Sequence, residues 1–240
     1  MKTLAFKYTI RRSQRAKKTR IIVTPEKIEV VAPLRVSEGN IHAFVKSQQD
    51  WVTTTSLKIK ERSTTIKKLA PERYRDGVTV PLYGKQTKIT IKPSIVKTVK
   101  IEFNQNEFNI FLPAETIASD NSQLIRLALI SWMKNQALKD VKGYVDCHAS
   151  TYNLNPRLIK IKTQKSRWGS CGIHNDINLN WLLILAPTEV FEYVVVHELC
   201  HIKERNHSSN FWQLVESHLP QYQIQRKWLK QHGSHLMQGL

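Results

Sequence analysis

The chain has 240 residues, 41% of them hydrophobic, and carries 37 Lys and Arg against 19 Asp and Glu for a formal net charge of +18. That length suffices for one large domain or two modest ones with real cores, and no apolar run is long enough for a membrane-spanning helix. Three widely spaced cysteines, Cys147, Cys171 and Cys200, form no C-x-x-C pair, which argues against a zinc ribbon or a disulfide framework and fits a reducing compartment.

The charge is uneven. Residues 1–112 hold 23 Lys and Arg against 9 Asp and Glu, and residues 113–240 hold 14 against 10. A basic first half admits nucleic acid or another polyanion as a partner. Lys-rich surfaces also serve solubility alone, and no RNP-like, zinc-finger or helix-turn-helix signature accompanies this one. At the N-terminus Lys2, Lys7, Arg11 and Arg12 stand where a signal peptide needs an apolar core, so a mature start and a cytoplasmic location are expected.

In chain order, Ile21–Val23 and Ile28–Val31 flank Thr24-Pro25-Glu26-Lys27 and predict a hairpin. Ser37-Glu38 opens a predicted helix running to about Arg62, with Ile41, Phe44, Val45, Trp51 and Val52 near one face. Residues 63–72 read as a connection. Val78–Gly84 and Lys88–Ile91 read as strand, turn and strand, and Val99–Phe103 with Phe108–Leu112 alternate about a second hairpin. The lone His42 reads as a surface residue. From Ser119 to about residue 150 apolar residues recur at helical spacing, with Cys147 and His148 as core or rim residues near the end. Leu158–Lys162, Ile177–Trp181 and Leu182–Leu185 predict further strands, and Ser166–Gly172 a turn of small residues that lets a backbone or ligand approach. Pro187-Thr188-Glu189 starts the next helix, and two short helices broken at Pro220 close the chain.

The helix after Pro187 carries His197-Glu198-Leu199-Cys200-His201. Residues four apart lie on one helix face, so His197 and His201 can share one cation, and Glu198 stands where the H-E-x-x-H pattern places a general base. A catalytic zinc takes three protein ligands and keeps one position for water. His207 is the preferred third ligand and Glu216 the runner-up. On a continuous helix His207 would face away, so the helix must end between His201 and His207; Asn206 suits the left-handed conformation that closes helices, and Ser208 suits the next N-cap. The apolar run Tyr193–Val196 implies a buried helix, on which two His and a Glu need partners that a metal supplies. An edge strand beside this helix can pair with an extended substrate, and Ile177–Trp181 is the candidate.

These stretches resemble the YgjP-like metallopeptidases, relatives of the WLM and SprT-type zinc proteases in the minimal gluzincin-like group. The resemblance rests on Ser166–Cys171, Ile177–Trp181, and Tyr193–His201 through Asn206–Ser208 to Phe211-Trp212, with Pro33 and Trp51 also familiar. Metzincins share the His spacing but place Gly where this chain has Glu204, and no Met-turn follows. The elements in chain order make an α+β protein with a strand-rich N-terminal part and one long helix over 1–112. The resemblance makes 113–240 a minimal zincin-like domain of helix, small antiparallel sheet, metal helix and closing helices. It implies Zn²⁺ on His197, His201 and His207, Glu198 as general base acting on metal-activated water, and a cleft lined by Arg167 and Trp168, with Asn178 on the adjoining strand. The expected function is a zinc metallopeptidase acting on a protein or peptide, with recruitment to nucleic acid by the basic half as one variant. The alternatives are a metal-dependent nucleotide phosphoanhydride hydrolase on the same site, which no phosphate-cradling Gly motif supports, and a structural zinc in a binding protein, against which Glu198 weighs.

Overall fold

The packing of the chain divides it at a different place from residue 112. The computed structural model describes residues 4–24, 26–65, 69–116, 119–150 and 153–240, with the backbone alone over 61–65. It separates into two compact units, Met1–Lys67 and Lys68–Leu240. A boundary at 112 would cut one core, because Val80, Leu82, Ile89, Phe108, Ile110 and Leu112 pack together with side chains from beyond residue 124. The change from strand-rich to helical sequence falls inside one core, so it does not mark where a unit ends.

In the first unit, strands β1 (Thr9–Arg12), β2 (Arg20–Val23) and β3 (Ile28–Ala32) form a sheet in the order β1-β3-β2. The predicted hairpin is the antiparallel β2–β3 pair, and β1 adds to β3 in parallel. Pro25 of its turn and the first three residues lie outside the described residues. The single helix predicted from Ser37 is two, α1 (Glu38–Ser47) and α2 (Gln49–Thr65), divided at Gln48. Ser37 Oγ caps α1 by accepting from the Asn40 N–H. The division turns Trp51 outward, half exposed, while Val52 is fully buried. Val30, Ala32, Ile41 and Val45 make the small core. His42 is exposed and bonds to the Tyr8 hydroxyl.

The second unit opens with a four-stranded sheet in the order β4-β5-β7-β6, made of β4 (Thr79–Leu82), β5 (Lys85–Ser94), β6 (Lys100–Asn104) and β7 (Glu107–Pro113). Helix α3 (Ser122–His148) follows, burying Ile125, Leu129, Met133, Ala137, Val141 and Val145 at helical spacing. A second sheet, ordered β8-β10-β9, holds β8 (Leu158–Lys162), β9 (Gly169–Cys171) and β10 (Asp176–Asn180). It is mixed rather than antiparallel, since β8 runs parallel to β10 and β9 antiparallel to it. Helices α4 (Thr188–Cys200), α5 (Ser209–His218) and α6 (Tyr222–Leu236) complete the unit. The α+β class and the order helix, small sheet, metal helix and closing helices are as the sequence implies. Among the described residues no helix is long and apolar enough to cross a membrane.

Two local devices aim α4. Residues Trp181–Leu185 are a 3₁₀ turn, not a strand, because the buried Asn180 side chain accepts from the Leu182 N–H and starts a helical turn there. The β4–β5 hairpin tip then docks on that turn. Tyr83 N–H and Gly84 N–H donate to the Ile184 and Leu185 carbonyls at 2.8 and 3.1 Å. Both tip residues have positive φ, 48° and 74°, as a two-residue hairpin turn requires, and a Cβ on Gly84 would stand 2.9 Å from Pro187 Cγ.

Candidate metal centre

Helix α4 is buried nearly all round, with Val194, Val195, Val196, Leu199 and Cys200 at most 3% exposed. Cys200 is packing, and burial pushes its thiol up to about 12. On this apolar helix His197 and His201 face one side, their ring centroids 4.9 Å apart. The helix ends at His201 through tight turns, with Ile202 N–H donating to Leu199 O and both Lys203 and Glu204 N–H to Cys200 O. No described residue between His201 and Ser208 is left-handed. Asn206 acts through its side chain instead, accepting from the Ser208 N–H, and Ser208 caps α5 by accepting from the Phe211 N–H.

That break returns His207 to the other two. Its Nε2 lies 3.0 Å from His197 Nε2, and one nitrogen from each of the three histidines lies within 4.8 Å of the others. Ligands of a tetrahedral zinc at roughly 2.0–2.1 Å stand about 3.3 Å apart, so the spacing fits. Among the described residues this is the group able to hold a metal. Glu216 is exposed on α5 and outside it, and His148 lies elsewhere, against Glu192 and His218.

The donor chemistry fits as well as the distances. Burial, then the neighbouring His201 and His207, push the His197 pKa down to about 3, and burial, then His201, lowers that of His207, so both stand as neutral ligands at pH 7. His201 Nδ1 lies 2.9 Å from the Glu204 carbonyl, which as an acceptor fixes the proton on Nδ1 and leaves Nε2 for a metal. The Phe211 ring, fully buried, contacts all three imidazoles at 4.5–4.9 Å between centroids.

Glu198 is 6% exposed, and burial, partly opposed by the Arg167 charge, raises its carboxyl to about 7. Strand β9 runs directly over it: a Cβ on Gly169 would stand 2.5 Å from Glu198 Oε1. The small residue is needed for that approach, as the turn of Gly and Ser in the sequence suggests.

The sheet order corrects the expected substrate strand. β10 is central, flanked by β8 and β9, so its main chain is already paired. β9 is the edge beside α4. Its ladder bonds fall at Trp168–Asn180 and Gly172–Asp176, so alternation turns the N–H and C=O groups of Gly169 and Cys171 to the open edge. Asn178 pairs with Ser170 on the sheet face away from Glu198, opposite to Gly169. Trp168 packs its indole near Gly233 of α6, and Arg167 is exposed. Of the three expected cleft residues, Arg167 alone acts on Glu198.

Three further residues organise the centre from outside the H-E-x-x-H motif. Arg205 donates to Gly172 O at 2.8 Å and to Asn175 Oδ1, tying the His207 loop to the β9–β10 turn. Asn180 donates to the Gln164 and Arg167 carbonyls, fixing the segment before β9. Arg226 lies over the Trp212 ring at 4.2 Å, that ring stacks on His207, and the Arg226 charge contributes to lowering both His197 and His207.

The family model described as YgjP-like, metallopeptidase domain, matches residues 17–232. Among solved structures, the metallopeptidase zymogen abylysin of Pyrococcus abyssi is similar at 20% identity and a TM-score of 0.35, covering 38% of this chain and 93% of that one. No curated protein matches.

Proposed function

We propose that this chain, which belongs to the YgjP-like metallopeptidase family and is by that membership a metal-dependent peptidase, holds zinc on His197, His201 and His207 and uses Glu198 as the general base for peptide hydrolysis. The convergence of three neutral imidazoles beside one buried carboxyl carries this reading. An all-imidazole set favours zinc over the oxygen-seeking Mg²⁺ and Ca²⁺.

A divalent ion held there supplies Lewis acidity and lowers the pKa of water bound to it. Glu198 moves the proton. A carboxyl raised to about 7 holds and releases a proton near neutral pH, which suits a group that takes one from water and gives it to the leaving amine. The β9 edge orients the substrate, with Gly169 and Cys171 offering main-chain groups to an extended peptide. Arg167 keeps part of Glu198 ionised.

The test is hydrolysis of unfolded protein and of a nucleotide panel by protein stripped with chelator and then reloaded with zinc, magnesium or calcium. Peptide cleavage restored by zinc alone is expected. Nucleotide cleavage without any peptide cleavage would overturn the proposal in favour of a phosphoanhydride hydrolase.

A further inference from the structure

No described residue of the first unit belongs to the metal cluster, yet the unit has a built cavity of its own. Residues 1–67 hold 15 Lys and Arg against 5 Asp and Glu, over half of the net charge in little more than a quarter of the chain. The cavity, about 360 Å³, lies between the N-terminal segment before β1, the β2–β3 turn and α2. Phe6 and Leu57 give it apolar walls, and Lys7, Lys27 and Lys60 bring three ammonium groups to its lining. Ser56 Oγ, also in the lining, is buried with no hydrogen-bond partner among the described residues. Among the described residues Glu26 is the one carboxylate of the lining, and the nearby Glu29 is paired with Arg11 and with Lys27.

We propose that this cavity is a binding site for single-stranded nucleic acid, in which one unstacked base enters against Phe6 and Leu57 while Lys7 and Lys60 meet the flanking phosphates. Apolar walls with a cationic lining match a nucleotide, whose base is flat and apolar-faced and whose backbone is anionic. A volume within the roughly 300–1,000 Å³ of small-molecule pockets admits one base, and a stacked duplex cannot enter it. Charge alone would attract any polyanion, so the walls are what select an unpaired strand.

The experiment is fluorescence anisotropy of the full chain with a labelled oligothymidylate, its abasic counterpart and the matching duplex, read between about 50 and 200 mM salt. The oligothymidylate is expected to bind more tightly than the other two. Lys7→Gln with Lys60→Gln is expected to lower the slope of log affinity against log salt by about 1.4, so that the affinity lost across that range shrinks about sevenfold. Lys7→Arg with Lys60→Arg keeps the slope and separates lost charge from a lost fold. Leu57→Glu is expected to abolish the preference for the base-bearing strand. Equal binding of abasic strand and duplex by the wild type, or a slope indifferent to Lys7 and Lys60, would overturn the proposal.

Discussion

Replacing Gly169 with alanine tests how closely the substrate edge is built onto the base. The added Cβ would lie 2.5 Å from Glu198 Oε1, 2.6 Å from Cγ and 2.8 Å from Cδ. Ordinary contacts are about 3.5 Å, so strand or carboxyl must yield by about 1 Å. Glu198 is 6% exposed on a helix buried nearly all round, so the carboxyl cannot simply swing into solvent. A displacement of about 1 Å in a reacting group costs on the order of 100-fold in rate, and overpacking costs about 1–3 kcal/mol of stability. The three atoms nearest the methyl all belong to Glu198 and none to a histidine. The expected result is unchanged metal content, measured by atomic absorption, with peptide-hydrolysis kcat about 100-fold lower. Wild-type kcat in a metal-loaded Gly169→Ala protein would refute the placement of β9 over Glu198.

Three other perturbations follow from the same contacts. Burial raises Glu198 from 4.5 to about 7, so the stability it contributes is full below 4.5 and is lost as pH rises through about 7, by about 3 kcal/mol at most. In metal-free protein Glu198→Gln is therefore expected to gain Tm over wild type between pH 5 and 8, by about 2–4 °C per kcal/mol; a constant difference contradicts this. Arg205→Ala releases the His207 loop from the β9–β10 turn and is expected to weaken zinc affinity about 10–100-fold in competition with a chelator, while His197→Ala removes a ligand outright. Asn180→Leu leaves two carbonyls and the Leu182 N–H without their partner and is expected to cost about 3 kcal/mol in urea unfolding.

The centre was legible where chemistry fixes spacing. Two histidines four apart on an apolar run, a forced helix break and a third histidine sufficed to foresee a cluster that the fold brings together. Elements whose shape depends on distant partners were less so. Leu182–Leu185 has strand-like composition, but the Asn180 cap makes it a 3₁₀ turn. β9 is three residues of Gly, Ser and Cys, too short and too small for a periodic signal, and its pairing with β10 exists only in three dimensions. Arg205 and Arg226 sit in no motif, and Asn180, although inside the Ile177–Trp181 stretch, became visible only through what it touches. The helix break at Gln48 carries no Gly or Pro, so Trp51 read as a core residue although it is half exposed.

The most direct measurement is metal content and peptide hydrolysis on the purified full chain, wild type beside Glu198→Gln. One zinc per chain in both proteins, with cleavage in the wild type alone, is the predicted result. A Glu198→Gln protein that cleaves as fast as the wild type, or a wild type that binds no zinc, would contradict the assignment of the three histidines and Glu198.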